Sequence, residues 1–168
     1  MRTMQAPNLP SNERERISTL RSLLILDTEP EQRFDNLTNM AAGFFNVPIA
    51  LVSLVDANRQ WFKSRCGLAA SETSREISFC GHAILASTPL VIEDTLTDER
   101  FADNPLVTGA PHIRFYAGAP LIMDNGMAIG TFCIIDSVPR HLDETEITML
   151  VDLAKLVVQE LQSQQPAS

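Results

Sequence analysis

Seven consecutive residues, Ile49-Ala50-Leu51-Val52-Ser53-Leu54-Val55, constrain the fold of this chain more than any other stretch. The run is nearly all apolar, rich in branched side chains, and ends in the turn-like Asp56-Ala57-Asn58. Successive side chains of a strand point to opposite faces, so a strand apolar at almost every position has to be covered on both. The run therefore predicts a central strand, and Gln60–Cys66, with Trp61 and Phe62, predicts its hairpin partner.

A second hairpin is expected from Ile113–Met123 and Met127–Asp136, two apolar runs joined at Asp124-Asn125-Gly126. An Asn-Gly pair between such runs suits the positive φ angles of a tight hairpin turn. Gly118 and Gly130 inside these strands predict bulges or close backbone approach. Pro89–Glu93 reads as a further short strand.

Helices are marked by their starts. Asn12 with Glu15 opens a first one whose apolar face is Ile17, Leu20 and Leu24. Thr28 with Glu31 opens a second, with stripe Phe34, Leu37, Ala41 and Phe44, stopped by Asn46 and Pro48. Ser78 caps a short helix reaching about Ser87. Asp143 with Glu146 opens the clearest helix, striped by Ile147, Leu150, Val151, Ala154, Val157, Val158 and Leu161. Gly67–Glu76 and Asp94–Pro111 read as loops, the second long enough to be a binding loop. The expected architecture is α+β, a single mostly antiparallel sheet flanked by helices. One domain spans residues 12–162, between a disordered leader (1–11) and a disordered tail (163–168).

Composition narrows the function. The chain has 168 residues, a net charge of −8 and 45% apolar residues. An acidic surface without a basic cluster disfavours phosphate backbones and anionic lipid, so neither nucleic acid nor membrane is expected as a partner. No apolar run approaches the ~20 residues that span a bilayer, and Met1–Pro10 lacks the features of a secretory signal. The three cysteines, Cys66, Cys80 and Cys133, form no Cys-x-x-Cys pair. They read as reduced thiols of a cytoplasmic protein.

Little catalytic machinery is visible. There is no Gly-x-Ser-x-Gly, no Walker motif and no glycine-rich dinucleotide turn. His82, His112 and His141 are scattered, without the spaced ligand cluster that a metal needs. Asp98/Glu99 and Asp143/Glu144 read as charges favoured at helix starts. Cys80 and His82, two apart near a helix start, are the most chemically suggestive pair, since a helix N-terminus lowers a thiol pKa. No cofactor is assigned.

The order of these elements and several local motifs resemble the GAF domain family over about residues 14–162. Early motifs are Ile49–Asp56, Arg59-Gln60-Trp61-Phe62-Lys63 and Phe79-Cys80-Gly81-His82-Ala83-Ile84. Later ones are Asp98–Val107, Phe115-Tyr116-Ala117-Gly118-Ala119-Pro120-Leu121 and Ile129–Asp136. The version with Phe-Cys-Gly-His and Arg-Phe-Tyr-Ala-Gly is similar to GAF domains attached to bacterial diguanylate cyclases and sensor histidine kinases. The resemblance implies a GAF/PAS-like sandwich and a non-catalytic, small-molecule-sensing regulatory role. It also implies a homodimer packed through the terminal helices, with Val151, Val158 and Leu161 extending the seam. No kinase or cyclase motif follows residue 162, so the chain reads as a stand-alone domain or a segment of a protein bearing such an output domain.

In such domains a ligand sits between the sheet and the helix and loops above it. Carried over, this points to Ser53, Val55, Phe79, Cys80, His82, Asp94, Phe101, Phe115, Tyr116, Ala119, Thr131 and Cys133 as ligand-binding residues. The same residues equally suit the core of a ligand-free dimerisation module. Bilin-binding relatives commonly place histidine directly after the chromophore cysteine, whereas Gly81 follows Cys80 here. The GAF-fold free methionine sulfoxide reductases keep companion cysteines that would fall near Ala70 and Asn104, and neither stretch has one. The Asn-Lys-Phe-Asp-Glu signature of phosphodiesterase GAF domains is also missing.

Overall fold

In the computed structural model, which describes residues 4–163, strand β1 (Ile49–Val55) is buried at all seven positions. It pairs antiparallel with β2 (Arg59–Cys66) on one side and β6 (Ala128–Asp136) on the other. β5 (Phe115–Ile122) continues from β6, β4 (Leu90–Ile92) from β5, and β3 (Glu72–Ser74) from β2. The result is a six-stranded sheet in the order β3-β2-β1-β6-β5-β4, antiparallel throughout. The expected α+β class and both hairpins are therefore present.

Alternation along β1 divides the core. Ala50, Val52 and Leu54 face α1 (Glu13–Ser22), α2 (Gln32–Phe45) and α5 (Glu144–Gln162), which supply Leu20, Phe34, Phe45, Leu153 and Val157 to that cluster. Ile49, Leu51 and Val55 face the short helix α3 (Phe79–Ala83) and the long loop holding α4 (Pro105–Thr108). β1 and β6 approach so closely that a Cβ on Gly130 would stand 1.9 Å from the Ser53 carbonyl oxygen. Gly130 is thus required for close approach, as expected, while the sheet's register shifts fall at Val52/Ser53 and Leu121/Ile122.

Several local expectations are corrected. α1 stops at Ser22, and Leu24 lies beyond it at φ 53° and 80% exposed. The buried position it was expected to fill goes to Ile25, and Arg16 is buried beside Leu20. In α2 the buried stripe is Phe34, Thr38, Ala41 and Phe45, leaving Phe44 52% exposed. Thr38 is tolerated inside because its hydroxyl shares a 2.8 Å hydrogen bond with Ser64, which donates to Asp35 at 2.6 Å.

Two expected caps do not form. Asn12 donates instead to the Met127 sulfur. Lys63, wholly buried, draws Thr28 and Glu31 away from the start of α2, at 2.8 and 2.7 Å. An ammonium taken out of water needs such partners. The Asp143/Glu146 capping box forms as expected. The Gly67–Glu76 loop contains β3, tied down where the Gln60 amide donates to the Thr73 hydroxyl at 2.6 Å. α3 ends at Ala83 rather than near Ser87. Asp94–Pro111 holds a 3₁₀ turn at Thr95–Thr97 as well as α4, each capped by a side chain, Asp94 or Asn104.

Within α5, Val158 and Leu161 are buried in this domain's own core and Val151 packs against it. These three are therefore not a free seam. Part of the leader lies against α3: the Gln5 carbonyl accepts from His82 Nε2, and Pro7 lies close to Gly81. Residues 1–3 of the leader and 164–168 of the tail lie outside the described residues. Among the described residues, no helix is long and apolar enough to cross a membrane.

Glu13 ties α1 to the turn after β3. Its carboxylate receives Arg75 at 2.5 and 3.0 Å and Arg16 at 2.8 Å, while Arg16 also donates to the Val55 carbonyl at 2.7 Å. Burial raises the Glu13 pKa, but the hydrogen bonds from Arg75 and Arg16 outweigh it and bring 4.5 down to about 2. A lowered carboxylate pKa stabilises the fold above its unfolded value, and that stability is lost as pH falls through the folded one. Glu13→Gln should cost about 1–2 kcal/mol at neutral pH after allowance for solvent screening. The gap to the wild type should narrow between pH 4.5 and 2, read by urea denaturation across that range. For the sheet, Gly130→Ala should destabilise by about 3 kcal/mol through overpacking. Gly43→Ala, in α2 with open space around it, should instead stabilise by about 0.5–1 kcal/mol in the same assay.

Candidate functional site

The sheet face turned away from α1, α2 and α5 carries a cavity of about 370 Å³. Its floor is made by Leu51 of β1, Gln60 and Phe62 of β2, Tyr116 of β5, and Cys133 and Ile135 of β6. Its roof is Phe79 and Cys80 of α3, with Leu106, Ile113 and the Leu68–Ala70 stretch completing the wall. Ala69, Ala70 and Ala110 are exposed and mark where the cavity meets solvent. Among the described residues no charged side chain lines it; the polar groups are Gln60, Thr73, Tyr116 and two thiols. A concave, mostly apolar space with a few fixed polar groups is the usual form of a small-ligand site.

Ser78 positions α3 by accepting from the Gly81 amide at 3.0 Å, which holds the first turn over the sheet. Phe79 then stacks on Phe101 with centroids 4.3 Å apart and meets the Tyr116 ring at a tilt of 36°, centroids 5.1 Å apart. A Cβ on Gly118 would meet the Tyr116 hydroxyl at 2.2 Å, so glycine there makes room for it. That hydroxyl lies 3.3 Å from Cys80 Sγ, which is also 2.9 Å from the Thr131 hydroxyl. Burial pushes the Cys80 thiol up, but hydrogen bonds from Cys133, Ser53, Thr131 and Tyr116 bring it down to about 7. Its hydrogen bond with Cys80, together with burial, raises Cys133, and burial beside Cys80 raises Tyr116.

The twelve residues singled out from sequence fall into different places. Phe79, Cys80, Tyr116 and Cys133 line the cavity. Three lie directly behind it: Phe101 against Phe79, Thr131 on Cys80, and Ser53 donating to the Gln60 side-chain oxygen at 3.1 Å. Val55 is packed into the core of the same sheet face without reaching the cavity. Phe115 and Ala119 lie on the opposite face, among the residues that α2 and α5 cover. Asp94 is out on the surface, paired with Arg114 at 3.0 Å. His82 faces the leader; a carbonyl partner at 2.9 Å makes Nε2 the donor, and burial lowers its pKa from the ordinary imidazole value.

Sequence reasoning missed Leu51, Gln60, Phe62, Thr73, Leu106 and Ile113 as lining residues. Part of the signal was present. Gln60 and Phe62 alternate on β2, and Leu68-Ala69-Ala70 is an apolar triplet in an otherwise polar loop. Among the described residues no group of three or more His, Cys, Asp or Glu side chains could hold a metal ion. His112 is an exposed residue at φ 59°, and His141 pairs with Glu93.

The chain is similar to several known proteins. A cyclic di-GMP phosphodiesterase of Pseudomonas aeruginosa is 40% identical over 156 residues, covering 92% of this chain. The chain spans 27% of the length of that relative. Among solved structures, the GAF domain of an Acinetobacter phosphoenolpyruvate-protein phosphotransferase superposes with a TM-score of 0.63 at 18% identity, over 88% of this chain and 93% of that one. A type II free methionine-R-sulfoxide reductase of Thermoplasma acidophilum gives 0.65 at 12% identity, over 78% and 91%. At these identities the two structures share the fold alone. The family profile described as GAF domain matches residues 29–161, taking in all six strands and every helix except α1. The chain belongs to the GAF domain family.

Proposed function

We propose that this domain is the non-catalytic receiving module of a bacterial signalling protein, and that it binds an uncharged, largely apolar small molecule. The observation that carries the reading is the cavity of about 370 Å³ without a charged side chain on its wall. Burying a phosphate or carboxylate there, with no cation to pair with it, costs far more than burying a neutral ligand. Gln60, Thr73 and the Tyr116 hydroxyl are left to orient such a ligand by hydrogen bonds. The phosphodiesterase relative, of which this chain spans 27%, supports placing the domain beside an output unit that does the chemistry. In this reading the GAF domain regulates that unit and has no active site of its own.

Occupancy has a physical route outward. Thr73 lines the cavity, and Arg75, two residues on, holds Glu13 of α1. A ligand that shifts β3 moves that ion pair and with it the first helix. A ligand shifts such an equilibrium only by its differential affinity for the two arrangements. The terminal helices α1 and α5 are the proposed path to a second copy and to an output domain. With Val158 and Leu161 turned inward, a dimer would rest on exposed positions of α5 such as Leu156.

Native mass spectrometry of freshly purified protein tests the ligand: a retained neutral mass should be present and should vanish on denaturation. At about 100 times its Kd, that compound should stabilise the fold by about 2.7 kcal/mol. Cys133→Met, which fills part of the cavity, should abolish the gain. Stabilisation by cyclic di-GMP but by no uncharged compound would overturn the reading. Light scattering should report a homodimer, and a monomer at high concentration would remove the dimer from it.

A further inference from the structure

Two thiols from distant parts of the chain meet on the cavity wall, and a reversible ligand has no need of either. Cys80 comes from α3 and Cys133 from β6, where it stands two residues beyond the Thr131 whose hydroxyl meets the Cys80 sulfur, and both thiols line the same cavity. Both are free, and both are shielded from bulk solvent except through the cavity they line. Thr131 and Tyr116 place hydroxyls 2.9 and 3.3 Å from the Cys80 sulfur. An inert core thiol sits among hydrocarbon; this one is surrounded by groups that can donate to a thiolate.

We propose that Cys80 and Cys133 form a redox-active dithiol that is oxidised to a disulfide by an uncharged organic hydroperoxide admitted through the cavity. The Cys80 sulfur attacks the terminal peroxide oxygen, forming an S–O bond as the O–O bond breaks. The proton of the thiol passes to the departing alkoxide, which leaves as an alcohol, and Cys80 becomes a sulfenic acid. The Cys133 sulfur then attacks the Cys80 sulfur: the S–S bond forms, the S–O bond breaks, and water carries away the Cys133 proton. Two thiols give up two electrons and the hydroperoxide takes them.

The surroundings set the order of attack. Hydrogen bonds hold the Cys80 acidity near neutral pH, whereas Cys133 is pushed up and stays a thiol. Only a thiolate attacks a peroxide well, so Cys80 reacts first and Cys133 resolves. The apolar wall selects a hydroperoxide with a hydrocarbon body over a charged oxidant. Cys66 packs against the cluster on the opposite sheet face and serves as an internal control.

The test treats reduced protein with stoichiometric cumene hydroperoxide and follows intact mass and peptide maps. A loss of about 2 Da and a Cys80–Cys133 linked peptide are expected. Cys133→Ser should stop at a Cys80 sulfenic acid that dimedone traps, and Cys80→Ser should leave Cys133 reduced. Tyr116→Phe keeps the ring and should slow Cys80 oxidation about tenfold, the loss of one hydrogen bond to a charged group. Circular dichroism separates unfolded variants from unreactive ones. Unreacted Cys80 in folded protein, labelling confined to Cys66, or oxidation of Cys133 at the wild-type rate in Cys80→Ser would each overturn the proposal. A retained neutral ligand alongside unreactive thiols would sink the dithiol and leave the sensing reading intact. The disulfide in a protein that binds no neutral ligand would do the reverse.

Discussion

The contact between β1 and β6 is the constraint on which the rest of the molecule depends. β1 is buried on both faces, and β6 reaches it only because Gly130 presents no side chain to the Ser53 carbonyl. This pairing joins the two hairpins into one sheet, β2-β1 on one side and β6-β5 on the other. It sets which residues face the helices and which face the cavity, because strand alternation allows no independent choice once the register is set. Ser53, Thr131 and Cys133 come into range of Cys80 through that register.

The two sheet faces then do different work. One is sealed by α1, α2 and α5 with aliphatic and aromatic side chains, and it holds the larger of the two buried apolar clusters. The other is covered by a five-residue helix and long loops, which cannot fill the space as densely. A cavity remains where coverage is thinnest. Polar residues that enter the interior are each met by a partner: Arg16 by Glu13 and a carbonyl, Lys63 by Glu31 and Thr28, Thr38 by Ser64. Among the described residues no buried side-chain nitrogen or oxygen lacks a hydrogen bond. The Glu13–Arg75 pair links the first helix to the turn that follows β3, the strand whose Thr73 lines the cavity.

Local chemistry in the chain proved readable where a signal acts over a few residues. The Asp143/Glu146 capping box, the Ser78 cap, the left-handed Asn46 that ends α2 and the Asn125-Gly126 turn all act at short range. Expectations failed where a distant group competed. Thr28 and Glu31 look like a cap but answer Lys63, more than 30 residues away. Phe44 fits a helical stripe as well as Phe45 does, and the neighbouring strand decides between them. The site was harder still. Phe115, Tyr116 and Ala119 were grouped as one lining, yet adjacent strand residues point to opposite faces, and Tyr116 alone reaches the cavity.

By itself the sequence determined the main helices and the antiparallel sheet of two hairpins, which follow from periodicity and turn chemistry, while the succession of local motifs carried the resemblance to the GAF family. It also singled out Cys80 and His82 as the most chemically suggestive pair, because a place just after Ser78 at a helix start is a local property. Only the tertiary structure decided which side chains share the cavity, that its wall bears no charge, and that Cys133 stands beside Cys80. The physical reason is reach. Caps and turns form between residues a few positions apart, whereas the cavity is where five separated segments come together, and their meeting depends on strand register and on how thinly α3 and the loops cover the sheet.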